Sequence, residues 1–408
     1  MNLSLLINPR HGVPGVTVLS TAGFRRAKAA ITAWPGYAPT PLRELPRIAE
    51  EAGVAAIRIK DEGSRFGPGS VKAPGSVKAP GSVKTPGSVK ALGSFKALGG
   101  AYAVANLLAA ELSRQGVALS ANSADLAEGR YAPQTGAITV TCATDGNHGR
   151  SVAWGAERFH CRCVIFVHET VSQGRVDAIA RFGAEVVRVP GNYDDAVREA
   201  DRQARTNGWF VVSDTSYPGY TEVPRDVMQG YRLMADEAAD QWTGTPPTHV
   251  FIQAGVGGAA AAVSVQMRAR FHPAPWLIVV EPERAACMFE SAKAGISSIV
   301  HGDLATIMAG LACGEPSLLA WQELERSAAA FMAIPDEAAV RALWRLADDG
   351  IAIGESGVAG LAGLMLAAAD PAARDALHLT SDSRVLLFGT EGVTDPAVYE
   401  DILRSRQR

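Results

Sequence analysis

Cysteine is scarce in this 408-residue chain: there are five, at Cys142, Cys161, Cys163, Cys287 and Cys313. That number and scatter exclude a disulfide framework. The single residue between Cys161 and Cys163 is not the CxxC spacing of a redox or zinc pair, so no metal is expected. Both are expected as small buried side chains at a strand edge. Long apolar runs are missing too, none reaching the ~18 residues needed to cross a bilayer. The opening MNLSLLINPRHGV lacks a basic region followed by an apolar core, so no secretory signal is expected. Excess charge is absent as well: 39 Lys and Arg against 42 Asp and Glu leave a formal charge of -3. Nucleic-acid-binding domains are usually clearly basic. With 47% hydrophobic and 20% charged residues, the composition is that of a globular protein, long enough for two domains with substantial cores. These absences predict a soluble, cytoplasmic protein with neither a membrane nor a nucleic acid as partner.

What is present is an alternation. Short β-branched runs end in turn residues and lead into alanine-rich stretches of helical spacing. The runs are 55–63, 137–149, 163–170, 185–191, 209–217, 248–258, 276–283 and 384–392, and AYAVANLLAAEL and EAAVRALWRLADDG typify the helices. Near-continuous apolar strands alternating with helices predict an α/β fold with mostly parallel sheets covered on both faces. Ligands of such sheets sit beyond the carboxyl ends of the strands, and here those ends read TDGNHG, SDTSY, AGVGG, EPE and GTEG.

Residues 69–100, GSVKAPGSVKAPGSVKTPGSVKALGSFKALGG, repeat one hexad five times and place lysines at 72, 78, 84, 90 and 96. The recurring Pro-Gly excludes helix and reads as successive turns through residue 86. Residues 68 to about 92 are therefore expected to form an exposed basic loop, with helix-compatible sequence beginning at Lys96.

Three segments carry chemistry. AGVGGAA (254–260) follows a strand and opens a helix, so its amides can approach a phosphate. It also satisfies GxGxxA, with Glu281 where a ribose-binding acid would stand in a nicotinamide enzyme. TDGNHGR (144–150) converges Asn147 and backbone donors at a strand end, with Asp145 as a proton acceptor; a capped helix start is the plainer reading. SFKALGGAYA (94–103) sets Lys96 at a loop-to-helix junction, where it can form an imine or simply be a solvated lysine.

Together these segments resemble the tryptophan-synthase-β-like, fold type II family of pyridoxal-phosphate enzymes. GESGVAGLAG (354–363) and GTEG (389–392) look like two further segments of that family, and the resemblance spans roughly residues 36 to 400. More narrowly, KDEGSRFG, SFKALGGAYA, ATDGNHGR, DTSYPGYTEVPRDVMQGY, TIMAGLACGEPS and TEGVTDP resemble the diaminopropionate ammonia-lyases. The nicotinamide reading leaves Lys96, Asn147 and Thr390 without a task. The resemblance implies two domains with pyridoxal 5'-phosphate in the cleft between them. The large domain would comprise 1–99 and 223–408, with 68–92 as an insertion loop, and the small α/β domain 100–222. It implies that Lys96, preceded by Phe95, carries the cofactor as an aldimine, and that Asn147 bonds the ring 3-oxygen. Gly255, Val256, Gly257 and Gly258 would present amides to the phosphate, while Thr390 faces the pyridine nitrogen. Asp145 and Asp214 would lie near a small amino-acid substrate, with Lys96 and Asp145 as alternative bases, in a homodimer. The implied reaction is elimination of ammonia from 2,3-diaminopropionate by way of an aminoacrylate. A serine/threonine dehydratase-like lyase and a turnover-impaired binder of cofactor or amino acid are the alternatives. The family joins its KDEGSRFG-like segment to its lysine through a few residues, whereas here about four extra hexads intervene. A slip of one unit would bring Lys90 to the site, but only Lys96 has Phe95 before it and LGGAYA after it.

Overall fold

The computed structural model describes residues 3–67, 92–144 and 146–406. Among them, eleven strands form two sheets. The larger sheet uses β1 (Ser4–Ile7), β2 (Leu42–Glu44), β3 (Ala56–Asp61), β8 (His249–Gln253), β9 (Trp276–Pro282), β10 (Ala330–Ile334) and β11 (Arg384–Gly389). Their order is β1-β10-β9-β8-β11-β3-β2. The five inner strands run parallel, and the two edge strands β1 and β2 pair antiparallel with β10 and β3. The smaller sheet, β6-β5-β4-β7, is parallel throughout and comprises β4 (Thr139–Ala143), β5 (Arg162–His168), β6 (Glu185–Val189) and β7 (Phe210–Val211).

Inner strands such as HVFIQ and AFMAI are buried at every position. Helices therefore cover both faces, as parallel sheets require. The eight runs read from sequence correspond to β3 to β9 and β11. Cys163 is buried in β5, and Cys161, just before it, is half-buried. The repeat, with Lys72, Lys78, Lys84 and Lys90, lies outside the described residues. So does Asp145.

Three long helices bring the two sheets together: Lys96–Arg114, Asn147–Arg158 and Glu222–Gln241. The LGG after Lys96 permits their approach. A Cβ on Gly99 would come 2.4 Å from the Tyr231 ring and 2.6 Å from the Val227 carbonyl oxygen. Such distances exclude any larger residue without separating the helices.

Candidate active site

The helix Lys96–Arg114 has no side chain capping its start. Its entry is instead pinned to the end of β11: Phe95 N–H donates to the Thr390 carbonyl at 3.1 Å, and Ser94 Oγ donates to the same carbonyl at 3.3 Å. Ser151 Oγ donates to the Lys96 carbonyl at 2.7 Å. Two segments distant in sequence thus hold one lysine in place, and its side chain enters a cleft of about 1080 Å³, open mouth included.

The Lys96 ammonium is paired with the Asp214 carboxylate, which is carried on the loop after β7. Burial pulls the Lys96 pKa down, but Asp214, Tyr231 and Cys313 more than offset it, and the net shift is upward. For Asp214, burial favours the neutral acid, yet the charge of Lys96 holds it well below the usual carboxylate range. His148 Nδ1 lies 3.8 Å from Asp214 Oδ2, and Nε2 contacts the Val212 carbonyl at 2.8 Å. Burial lowers the His148 pKa, so the neutral ring donates through Nε2 and presents Nδ1 as an acceptor.

Opposite the lysine, β8 runs into AGVGG. The amides of Gly255, Val256, Gly257 and Gly258 have no acceptor among the described residues, and Gly258 opens the helix Gly258–Arg270. Gly257 holds φ +90°, and a Cβ there would come 2.1 Å from Met288 Cε. Four unspent N–H groups at a helix start favour an anion. Asn147 Nδ2 donates to Glu391, and Arg150 donates to Asn147 Oδ1 at 3.4 Å. Thr390 Oγ1 accepts from Gln253 Nε2 at 2.7 Å. At the mouth, Arg175 Nη2 reaches Glu355 Oε1 at 2.7 Å. Burial, followed by the neighbouring Glu391, still pushes Glu355 up to about 7.

Lys96, Phe95, Asn147, Asp214, Gly255, Val256, Gly257, Gly258 and Thr390 therefore all line one cleft. Glu281 does not. It is fully buried, accepting the amides of Met288 and Phe289 at 2.8 and 2.7 Å, so it caps a helix and is not available to a ribose. The helix start at 144–150 is capped, though by Thr144 and not by an Asp or Asn: Thr144 Oγ1 accepts the amides of Gly146 and Gly149 at 3.0 and 3.1 Å. His148, Tyr231, Gln253 and Glu391 line the cleft too and were not singled out from sequence. Gln253, a polar residue ending the apolar run HVFI, carried the clearest signal. Tyr231, inside a helix, carried none.

A lysine in a cleft between parallel α/β sheets, facing a glycine loop with four unspent amides, defines the class: the chain belongs to the pyridoxal-phosphate-dependent enzymes. The model of that family, described as "Pyridoxal-phosphate dependent enzyme", matches residues 87–390. Within it the chain belongs to the diaminopropionate ammonia-lyase family. It is 39% identical over 379 residues to the diaminopropionate ammonia-lyase of Escherichia coli K12, covering 90% of this chain and 88% of that protein. Against the Salmonella typhimurium enzyme it is 38% identical, covering 90% and 89%. The crystal structure of the holo E. coli enzyme superposes with a TM-score of 0.85 at 34% identity, over 100% of this chain and 97% of that one. The same enzyme in complex with an aminoacrylate-PLP azomethine reaction intermediate gives 0.83 at 34% identity, over 100% and 98%.

Proposed function

We propose that the protein eliminates ammonia from 2,3-diaminopropionate, yielding pyruvate and a second ammonia, with Lys96, Asp214 and Asp145 as its catalytic groups. The observation that carries this reading is the Lys96–Asp214 pair facing four unspent amides across one cleft. Those donors suit pyridoxal phosphate: an anion cradle at 255–258, the Asn147 amide, and the hydroxyl of Thr390. When bound, the cofactor supplies an electron sink for the pair left behind by the departing Cα proton.

The residues do the rest. Gly255, Val256, Gly257 and Gly258 bind the phosphate, and Phe95 packs beside the lysine, its ring centre 5.5 Å from Nζ. Asn147 would orient the ring through the 3-oxygen, and Thr390 would meet the ring nitrogen. Lys96 Nζ would take the Cα proton as one base, and Asp145 is the alternative base that the family resemblance implies. Asp214 holds the lysine's proton while Lys96 is charged and offers a carboxylate to the substrate's second ammonium. That group leaves as ammonia. The released 2-aminoacrylate then hydrolyses in water to pyruvate and ammonia, so one substrate and one water give one pyruvate and two ammonias. The same reading assigns residues 1–99 and 223–408 to a large domain around the seven-stranded sheet and 100–222 to a small one. It also takes the protein as a cytoplasmic homodimer, which sedimentation of the holoenzyme checks.

Incubation with 2,3-diaminopropionate is expected to release pyruvate and ammonia in the ratio one to two. Pyruvate from serine, or 2-oxobutyrate from threonine, with none from diaminopropionate would favour a hydroxy-amino-acid dehydratase. Borohydride reduction followed by peptide mapping is expected to label Lys96; label on Lys90 would show a register slip.

A further inference from the structure

Gln253 ends β8 inside the larger sheet and is 3% exposed. Its carboxamide nitrogen lies 2.7 Å from Thr390 Oγ1, 2.8 Å from the Phe388 carbonyl and 3.2 Å from the Gly357 carbonyl. Two of these neighbours can only accept, so nitrogen and not oxygen must face them, and the amide has one possible orientation. An amide nitrogen cannot accept. The contact with Thr390 therefore runs from N–H to Oγ1 in one direction only, leaving the hydroxyl hydrogen to point elsewhere. Among the described residues Thr390 Oγ1 has no acceptor, and Thr390 lines the cleft. Gln253 Oε1, by contrast, is buried without a partner. The residue is thus held by its donor side alone.

Resting on the reading above, in which Thr390 meets the ring nitrogen of the cofactor, we infer that Gln253 is a positioning residue that makes the Thr390 hydroxyl a donor, so that this nitrogen accepts a hydrogen bond and stays unprotonated. Were Oγ1 free, the hydroxyl could equally turn its lone pair to a protonated ring. With Gln253 in place that arrangement would set two N–H donors against one oxygen and leave its hydrogen without an acceptor. An unprotonated ring withdraws electrons less strongly, which disfavours a long-lived carbanion and favours prompt loss of the β-amino group.

The test uses holoenzyme loaded with pyridoxal phosphate labelled with ¹⁵N in the ring, read by NMR and by cofactor retention. The wild type is expected to show an unprotonated, hydrogen-bonded nitrogen from mildly acidic to mildly alkaline pH. In Q253M the resonance should move toward that of an unbonded nitrogen. Cofactor affinity should weaken about five- to tenfold, the loss of one hydrogen bond, and kcat should fall with substrate KM unchanged. If Q253M does not fold, Q253E replaces it. Its carboxylate accepts the hydroxyl proton and turns the oxygen's lone pair to the ring, so the resonance should move toward that of a protonated nitrogen. A protonated ring in the wild type, or an unmoved resonance in whichever variant folds, overturns the inference. Absence of borohydride label on Lys96 would instead overturn the reading beneath it.

Discussion

Among the described residues two lysines leave the solvent, and they do so on opposite terms. Lys60, on β3, has no exposed side-chain surface. Its three N–H groups are spent on the Thr40 carbonyl at 2.6 Å, Gln241 Oε1 at 2.9 Å and Glu237 Oε2 at 2.7 Å. Arg65 adds a second cation to the same Glu237, at 2.8 Å, and pairs with Glu62 at 2.8 Å. Lys96 keeps 22% of its side chain exposed and has one carboxylate partner, with the rings of Phe95 and Tyr231 centred 5.5 and 5.7 Å away. A buried ammonium with every donor satisfied is a fastener. One with donors to spare beside a cavity is ready for a ligand. Their pKa shifts diverge accordingly: burial dominates at Lys60 and lowers it, whereas Asp214 and its neighbours outweigh burial at Lys96 and raise it.

The comparison breaks most sharply by deletion. Lys96→Ala is expected to lower turnover by ~10⁴-fold or more, as loss of a nucleophile does elsewhere, with a smaller fall in urea midpoint than Glu237→Ala gives, since it strands one carboxylate at the edge of a cleft. Glu237→Ala should do the reverse. It strands two buried cations, and loss of one partner of a buried pair costs about 3–5 kcal/mol, seen as a lower urea midpoint with near-normal activity per folded molecule. Asp214→Asn is expected to reduce kcat about 10²-fold, in the range of a lost proton-transfer partner, with stability nearly unchanged.

The two lysines should also be separable by pH in cofactor-free protein. Lys96 has a raised folded pKa, so its contribution is fully present below the unfolded value of ~10.4 and fades as pH climbs beyond it. Lys60 has a lowered folded pKa, so the unfolded chain binds more protons near that value and its contribution rises with pH as ~10.4 is approached. Comparing wild type with K96M and with K60M by chemical denaturation should give slopes of opposite sign; equal slopes would erase the distinction. The smallest effect is expected from deleting residues 69–86, three hexads. The flanks already meet, since Gly93 N–H donates to the Arg65 carbonyl at 3.0 Å. Shortening a loop changes closure entropy by only about 0.6 kcal/mol per halving, so turnover and melting temperature should stay close to wild type.

Much of the frame was legible because its signals are local. Eight apolar runs announced eight strands, and the helix beginning at Lys96 was readable from the loss of proline. Strands β1, β2 and β10 were not. β2 is three residues long, Leu42–Glu44, and is defined only by pairing with β3. β10 lies within RSAAAFMAIPDEAAV, where alanine spacing suggests helix. Nor could local pattern rank Lys60 against Lys96, because what differs between them is the number of acceptors each finds. Those acceptors come from segments as far as 181 residues away.

By itself the sequence determined the layering of strand and helix and the placement of glycines, amides and acids at strand ends. Period, propensity and turn chemistry act over a few residues and need no partner. Only the tertiary structure decided which strand ends became neighbours. Pairing β8 with β11 brings Gln253 to Thr390, and pairing β4 with β7 brings His148 toward Asp214. The packing of the helix Lys96–Arg114 against the helices Asn147–Arg158 and Glu222–Gln241 then delivers one lysine of the repeat to that carboxylate. Hydrogen bonds and ion pairs reach only a few ångströms, so their partners are chosen by the sheet order and not by distance along the chain.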